Sequence, residues 1–220
     1  MSYDNMTDYA TVRDSLETFD IVLWSDGDKL AHLIQWGTMS KWTHVGMVVR
    51  FPGDVLMLWE STFNDTFSGV HMTPLSQAIE TSVCIRRLTI NRTTAMWDKL
   101  MAARKDLDGR PFENNVLEFI CAAYDGPFGY NKRNISSLFC SELIAETYQR
   151  VGLLDPTVPS NEYIPNDFSA EAKKPLQLLN GAILGEELIV TKAVKAQVSK
   201  SYNKAKPMLT DTKWLVDNVI

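Results

Sequence analysis

Two apolar runs on either side of a Pro-Gly sequence constrain the fold of this chain most strongly. Residues 43–49 read Thr-His-Val-Gly-Met-Val-Val, residues 55–61 read Val-Leu-Met-Leu-Trp-Glu-Ser, and Phe51-Pro52-Gly53-Asp54 lies between them. Apolar and β-branched residues favour strands, and Pro-Gly favours a tight turn. The sequence therefore predicts an antiparallel hairpin, whose first strand is apolar on both faces as in the centre of a sheet.

The length of the turn decides which residues face each other across this hairpin. If Phe51-Pro52-Gly53 form a three-residue loop, His44 lies opposite Glu60 on one face. A two-residue Pro-Gly turn would place Ser61 opposite His44 and Glu60 on the far face. Glu60 closes an apolar run and needs a partner or solvent. This favours the first register and leaves the second open.

His44 is the polar residue at the start of the first hairpin strand. A polar residue at the rim of a buried strand more often faces a cleft than the packed interior. Gly46 shares its face two residues later, so we expect space beside the imidazole for a neighbouring backbone or a substrate. The other two histidines, His32 in an apolar helix and His71 on a short edge strand, are interpreted as structural.

A cysteine lies in the first turn of a predicted amphipathic helix. Ser136 and Ser137 are good N-cap residues, apolar positions recur at helical spacing from Leu138 onward, and Gly152 ends the pattern. Cys140 therefore meets free backbone N–H groups and the positive end of the helix dipole, and both favour a thiolate. The alternative is that Cys140 is a small buried apolar residue.

Cysteine-dependent hydrolysis needs a thiolate, an imidazole that shuttles the proton and a third polar group that orients the imidazole. Cys140, His44 and Glu60 are the candidates. Glu142 is a competing acid, but two residues along a helix it points about the opposite way, so we interpret it as structural or as part of the surface. Cys84 and Cys121 lie in apolar segments and are expected in the core.

No cofactor or metal is expected, because the sequence has no paired cysteines, no HExxH and no phosphate-binding loop. Three cysteines without disulfide spacing suit a reducing compartment. The start of the chain is polar, and no apolar run is long enough to span a bilayer. These features predict a soluble, cytoplasmic protein.

The remaining segments predict a single α+β domain, with an antiparallel sheet packed against helices. The 220 residues, 45% of them hydrophobic, suffice for one core. Strands are expected near residues 19–24, 68–74, 82–88 and 181–190; helical segments after residue 28 and at 75–80, 94–107 and 114–124; and loops at 125–136 and 155–167. We place the domain at residues 1–190 and a basic tail at 191–220.

Charge excludes nucleic acid as the main expected partner. The net charge is −5, whereas phosphate binding needs a surplus of Lys and Arg on some face. The tail is a local exception, with five lysines and no acid between residues 192 and 206. We interpret it as a solvated segment, and weak contact with an anionic surface is the alternative.

Several blocks of this sequence, in order, resemble the circularly permuted papain-like proteins of NlpC type. That group includes bacterial YiiX-like proteins and poxviral relatives and is akin to the lecithin-retinol acyltransferases. The blocks are DIVLW, WTHVGMVV, LWEST, GVHMTPL, GRPFE, FCSELIAETYQRVGLL and PNDFS, which span about residues 20–169. The order of histidine before cysteine is typical of the permuted group. One departure is Phe19-Asp20, where the family often has Gly-Asp.

The resemblance implies a permuted papain-like fold with Cys140 as nucleophile, His44 as base and Glu60 as orienting residue. It also implies that the backbone N–H of Cys140 helps to bind an oxyanion. The expected activity is that of a thiol-dependent hydrolase or acyltransferase, which acts on an amide, peptide or lipid ester through a thioester. Aromatic residues near the proposed site segments suggest an apolar acyl group: Trp24, Trp36, Trp42, Phe128, Tyr130 and Phe139.

Two alternatives to this function stay open. The first is a non-catalytic module of the same fold that binds a lipid or a protein through the cleft. It would tolerate Cys140→Ser without loss of function. The second is an isopeptidase acting on ubiquitin-like tails, because another permuted papain-like group shares the order of histidine before cysteine.

Overall fold

One mixed β-sheet contains all seven strands found in the part of the chain that the structure describes. The computed structural model describes residues 6–25, 40–63, 68–112 and 138–191. The strands are β1 (Met6–Asp8), β2 (Ile21–Trp24), β3 (His44–Phe51), β4 (Val55–Phe63), β5 (Ser68–Pro74), β6 (Val83–Thr89) and β7 (Ile183–Thr191). With the helices below, they confirm the predicted α+β class.

The order of strands across the sheet is β1-β7-β6-β2-β3-β4-β5. Strands β2 to β7 pair antiparallel, as the hairpin pattern predicts, and β5 forms one edge. The other edge corrects the expectation of a purely antiparallel sheet, because β1 runs parallel to β7, with Met6 opposite Ile189. Strand β1 has only three residues in a polar segment, which is too short to show the alternation typical of a strand. Its pairing with β7 therefore could not be predicted from the local sequence.

Four α-helices lie in the described segments: α1 (Tyr9–Val12), α2 (Leu75–Ala78), α3 (Thr94–Leu107) and α4 (Cys140–Val151). Helix α3 has its predicted bounds and is capped by Thr93, whose hydroxyl accepts the Met96 N–H at 3.2 Å. Short 3₁₀ turns at 160–162 and 165–168 interrupt the segment that was predicted to be all loop.

Helix α4 begins later than the sequence suggests. Its N-cap is Phe139, and the expected capping residues Ser136 and Ser137 lie outside the described residues. The Glu142 carboxylate takes over part of the capping, since it accepts the Phe139 N–H at 3.4 Å. The helix ends as predicted at Gly152, which adopts a left-handed φ of 86°.

Apolar side chains cover both faces of the sheet. On one face, Met47 and Trp59 belong to the cluster that includes Leu143 and Tyr148 of α4. On the other face, Val48 and its neighbours pack with residues of α1 and α2. This explains why β3 is apolar on both sides, and it places α4 directly against the strands that carry His44 and Glu60.

The β3–β4 hairpin forms, but its register differs from both predicted ones. Phe51 pairs with Val55 and the ladder extends to Met47 opposite Trp59. The three-residue loop is therefore residues 52–54 rather than 51–53. Gly53 and Asp54 both take positive φ there, at 75° and 65°. The turn conformation, which the Pro-Gly signal alone does not fix, sets the register.

Counted onward from this ladder, His44 would face Thr62 rather than Glu60 or Ser61. The observed register lies two residues from the favoured prediction and one from its alternative. Side chains alternate with a period of two, so a shift of two leaves His44 and Glu60 on the same face. The predicted pairing of His44 with Glu60 across the hairpin was therefore wrong. The prediction that the two side chains lie close together on one face is confirmed.

Several expected features lie outside the described residues. They are the helix after residue 28 with His32 and Trp36, the helix at 114–124 with Cys121, the loop at 125–136 with Phe128 and Tyr130, and the basic tail beyond Thr191. The division into a domain over residues 1–190 and a tail stays a prediction. Within the described segments, no helix has the length and apolar character needed to cross a membrane.

Candidate functional site

Two adjacent strands bring His44 and Glu60 together. His44 opens β3, and Glu60 lies near the end of β4. The Nε2 atom of His44 lies 2.9 Å from Oε2 of Glu60, within hydrogen-bond distance. Only 6% of Glu60 is exposed, and a buried carboxylate needs such partners because burial removes its hydration. Glu60 is thus placed to orient the His44 ring.

Cys140 approaches the same imidazole from helix α4. It is the first residue of the helix and is 3% exposed. Its thiol interacts with the His44 ring closely enough to raise the pKa of that ring. Because Nε2 of His44 faces Glu60, the other ring nitrogen remains for the thiol. The structure therefore brings the three predicted site residues together.

Opposing effects set the charge state of His44. Burial is the largest and lowers the pKa of the ring. The charge of Cys140 and its hydrogen bond raise the pKa, as do the hydrogen bond and charge of Glu60, and together they outweigh burial. The pKa of His44 therefore rises from 6.5 to about 10. The raised pKa favours the imidazolium form, which is the counter-ion that a thiolate requires.

The start of helix α4 is tied to the sheet beside the site. The Ser61 hydroxyl donates a 2.7 Å hydrogen bond to the Leu138 carbonyl, two residues before Cys140. Leu138 also forms a parallel bridge with Phe112, and its N–H bonds the Pro111 carbonyl at 3.0 Å. Ser61 neighbours Glu60 on β4, so one strand positions both the carboxylate and the backbone that leads to the thiol.

Trp24 and Gly46 are the neighbours of His44 whose expected roles can be compared with the structure. Trp24, opposite His44 in the β2–β3 ladder, places its ring 5.1 Å from the imidazole, measured between centroids. The space expected at Gly46 is filled by a side chain rather than left for a backbone or substrate. A Cβ at Gly46 would lie 2.7 Å from Cδ1 of Leu58. The glycine therefore serves packing between β3 and β4.

The structure assigns the other acid and the other described cysteine to packing. Glu142 is 2% exposed and caps its own helix, which agrees with the structural option rather than the surface one. Cys84 is 1% exposed in β6, and burial raises the pKa of its thiol to about 12. Cys84 is therefore a buried thiol in the core, as expected.

Sequence reasoning missed His71. This residue lies directly opposite Glu60 in the β4–β5 ladder, and its Nε2 is 3.6 Å from Oε1 of Glu60. It therefore borders the site and is not an isolated histidine of an edge strand. Carrying the strand pairing one step further, from β4 to β5, would have identified this neighbour.

No group of three or more histidine, cysteine or acidic side chains is arranged to hold a metal ion in the described segments. The chemistry that the described site residues support is that of a thiol beside an imidazolium and a carboxylate. Such a set can attack an electrophilic carbon and move a proton.

Comparisons with known proteins give a distant structural likeness. No protein-family model matches the sequence, and no curated protein matches it. Among solved structures, the metalloprotein yiiX from Escherichia coli O157:H7 is 20% identical and has a TM-score of 0.47. The alignment covers 80% of this chain and 97% of that one. At this distance, neither a metal nor an activity transfers from that protein to this chain.

Proposed function

We propose that this protein is a thiol-dependent hydrolase or acyltransferase with Cys140 as nucleophile, His44 as general base and acid, and Glu60 as the orienting group. The position of His44 carries the proposal, because its Nε2 lies 2.9 Å from the Glu60 carboxylate and interaction with Cys140 and Glu60 raises the pKa of the ring. The start of helix α4 supports it, because the N–H groups and the dipole at a helix start favour negative charge on sulfur.

The proposed reaction has two steps. The Cys140 thiolate attacks a carbonyl carbon, and the backbone N–H of Cys140 would help to stabilise the oxyanion. The bond to the leaving nitrogen or oxygen then breaks, and the His44 imidazolium protonates the leaving group. This gives a thioester and neutral His44. A water molecule or second acceptor, deprotonated by His44, attacks the thioester and releases the thiolate.

We further infer a circularly permuted papain-like fold for this chain. The order of histidine before cysteine, the strand-borne histidine and the cysteine at a helix start support that inference. The proposed substrates are amides, peptides and lipid esters with an apolar acyl group. Trp24 beside His44 and Phe139 before Cys140 would border such a group.

Alkylation kinetics test the nucleophile without a known substrate. Cys140 and Cys84 are buried to nearly the same degree, at 3% and 1% exposure, so Cys84 is an internal control for access. With iodoacetamide at neutral pH, followed by peptide mass spectrometry, we expect Cys140 to react at least tenfold faster, since one pKa unit of charge stabilisation corresponds to about tenfold. His44→Ala should remove most of that difference.

Variants separate the proposed enzyme from a binding module. His44→Ala leaves the helix start intact but removes the counter-ion, whereas Cys140→Ser removes the thiol itself and should abolish labelling at that position. Equal labelling of Cys140 and Cys84 in the folded protein would overturn the proposal. So would a Cys140 rate that is unchanged by His44→Ala, because the imidazole would then play no part.

A further inference from the structure

We propose that His71 is a second positioning residue of the site, which holds the Glu60 carboxylate from the side opposite His44. The proposal rests on the thiol chemistry proposed above and extends it. The carboxylate places Oε2 against His44 and Oε1 against His71. Two imidazoles from different strands, β3 and β5, therefore fix the rotation of one buried carboxylate on β4.

Backbone contacts hold the His71 ring in place. Its Nδ1 lies 3.1 Å from the Gly69 carbonyl oxygen, and because a carbonyl only accepts, Nδ1 carries a proton there. Gly69 is itself immobilised. Its φ is 126°, and a Cβ at this position would lie 2.3 Å from the Arg110 carbonyl oxygen. The ring is thus anchored on a strand segment that is packed against residues 109–111.

This anchor directs Nε2 of His71 towards Glu60. In the described segments, the charged groups near His71 include Glu60 from β4 and Asp108, which follows helix α3 and interacts electrostatically with His71. The contact between Nε2 and Oε1 limits the rotation of the Glu60 carboxylate, and an aligned carboxylate favours the charged form of His44.

Two amide variants distinguish the contribution of Nδ1 of His71 from that of Nε2. Asparagine places its amide near the position of Nδ1 and keeps the anchor to Gly69, whereas glutamine places its amide near the position of Nε2 and reaches towards Glu60. We expect His71→Asn to slow Cys140 alkylation at neutral pH by about threefold to tenfold, because a charged contact at 3.6 Å is weaker than a hydrogen bond to a charged group. His71→Gln should stay within about twofold of the wild type.

A pH titration of the His44 ring by NMR measures the pKa of that ring. This pKa should not change if His71 only supports the fold. The midpoint should fall in His71→Asn and return towards the wild-type value in His71→Gln. Thr73→Val is the matched control, because Thr73 lies on the same strand and face but pairs with Leu58. It should leave both the midpoint and the alkylation rate unchanged.

The outcomes distinguish this proposal from the proposed function. If both amide variants behave like the wild type, His71 does not position Glu60. The difference between wild type and His44→Ala then still reports on the nucleophile. A His71→Asn variant that unfolds more easily, yet keeps the His44 midpoint and the alkylation rate, would show that His71 only supports the fold and would overturn the proposal.

Discussion

Glu60 sets the behaviour of the site at the scale of single residues. Its carboxylate contacts the imidazole that faces Cys140, and it is almost fully buried. Burial on its own would drive His44 towards its neutral form, so the positive charge depends on Cys140 and Glu60. These interactions stabilise the fold while His44 is charged, and their contribution is lost as the pH rises through about 10.

Replacing Glu60 with glutamine should therefore lower the pKa of His44. The loss of an opposite charge at hydrogen-bond distance lowers such a pKa by about 1 to 3 pH units. The NMR titration of the His44 ring checks this directly. Glu146→Gln is the control, since Glu146 is also a buried acid but pairs with Arg150 at 2.7 Å. A His44 midpoint that is equal in the wild type and in Glu60→Gln would contradict the assigned role.

The sequence allowed the grouping of Cys140, His44 and Glu60 to be predicted, because each of these residues carries a local signal. Cys140 lies in the first turn of an amphipathic helix, His44 at the rim of an apolar strand and Glu60 at the end of an apolar run. His71 has no such signal. Its relevance comes only from the pairing of β4 with β5, which places it opposite Glu60.

At the scale of elements, strand β4 holds helix α4 in position beside the site. One side-chain hydrogen bond joins β4 to the residues just before α4, and another joins β4 to α4 itself. Ser61 bonds the Leu138 carbonyl at 2.7 Å, and the Trp59 indole N–H bonds the Thr147 hydroxyl at 3.3 Å. Both are buried, so each fixes the helix without competition from water. The Ser61 bond positions the backbone immediately before Cys140.

Ser61→Ala should destabilise the protein and disturb the thiol. A buried carbonyl that loses its donor costs about 1–3 kcal/mol, and a displaced helix start should also slow Cys140 alkylation. Urea unfolding and alkylation rates check both effects. Ser76→Ala is the control, because Ser76 is also buried but its hydroxyl has no hydrogen-bond partner among the described residues. Equal losses in the two variants would rule out a special role for the Ser61 bond.

The hairpin shows how far element-level prediction reaches. Alternation of side chains preserved the face shared by His44 and Glu60 even though the register was off by two residues. The register itself depends on positive φ at Gly53 and Asp54, and asparagine or aspartate at such a position is a weaker signal than glycine. The start of α4 was also misplaced, because the capping signal was read from Ser136 and Ser137. In the structure, the Glu142 carboxylate accepts the N–H of the N-cap residue Phe139.

The whole molecule is organised around a sheet that is covered on both faces. Tyr148 of α4 donates a 2.6 Å hydrogen bond to the Phe19 carbonyl, which joins the helix layer to the segment before β2. Phe19 stands where the resemblance led us to expect glycine, and its φ is indeed positive, at 77°. A positive φ at Phe19 costs about 1–2 kcal/mol of strain. Burial of a phenylalanine side chain stabilises the fold by about 3–5 kcal/mol, which is more than this cost.

Long-range pairing is the part of the fold that the sequence did not predict. Among the described residues, strand β1 joins the sheet through β7, and it does so in parallel. No turn or periodic pattern connects these distant segments. By contrast, β5 and helix α3 have their predicted bounds, because turn residues or caps and local periodicity define both of them.

The central claim is that Cys140 and His44 form a thiolate–imidazolium pair in the folded protein. The most direct test is the ultraviolet absorbance of the thiolate, measured as the difference between the wild type and Cys140→Ser across pH. We predict the signal of one thiolate per chain at neutral pH and its loss in His44→Ala. A difference spectrum without thiolate absorbance until the strongly alkaline range, where Cys84 also titrates with a pKa of about 12, would contradict the claim.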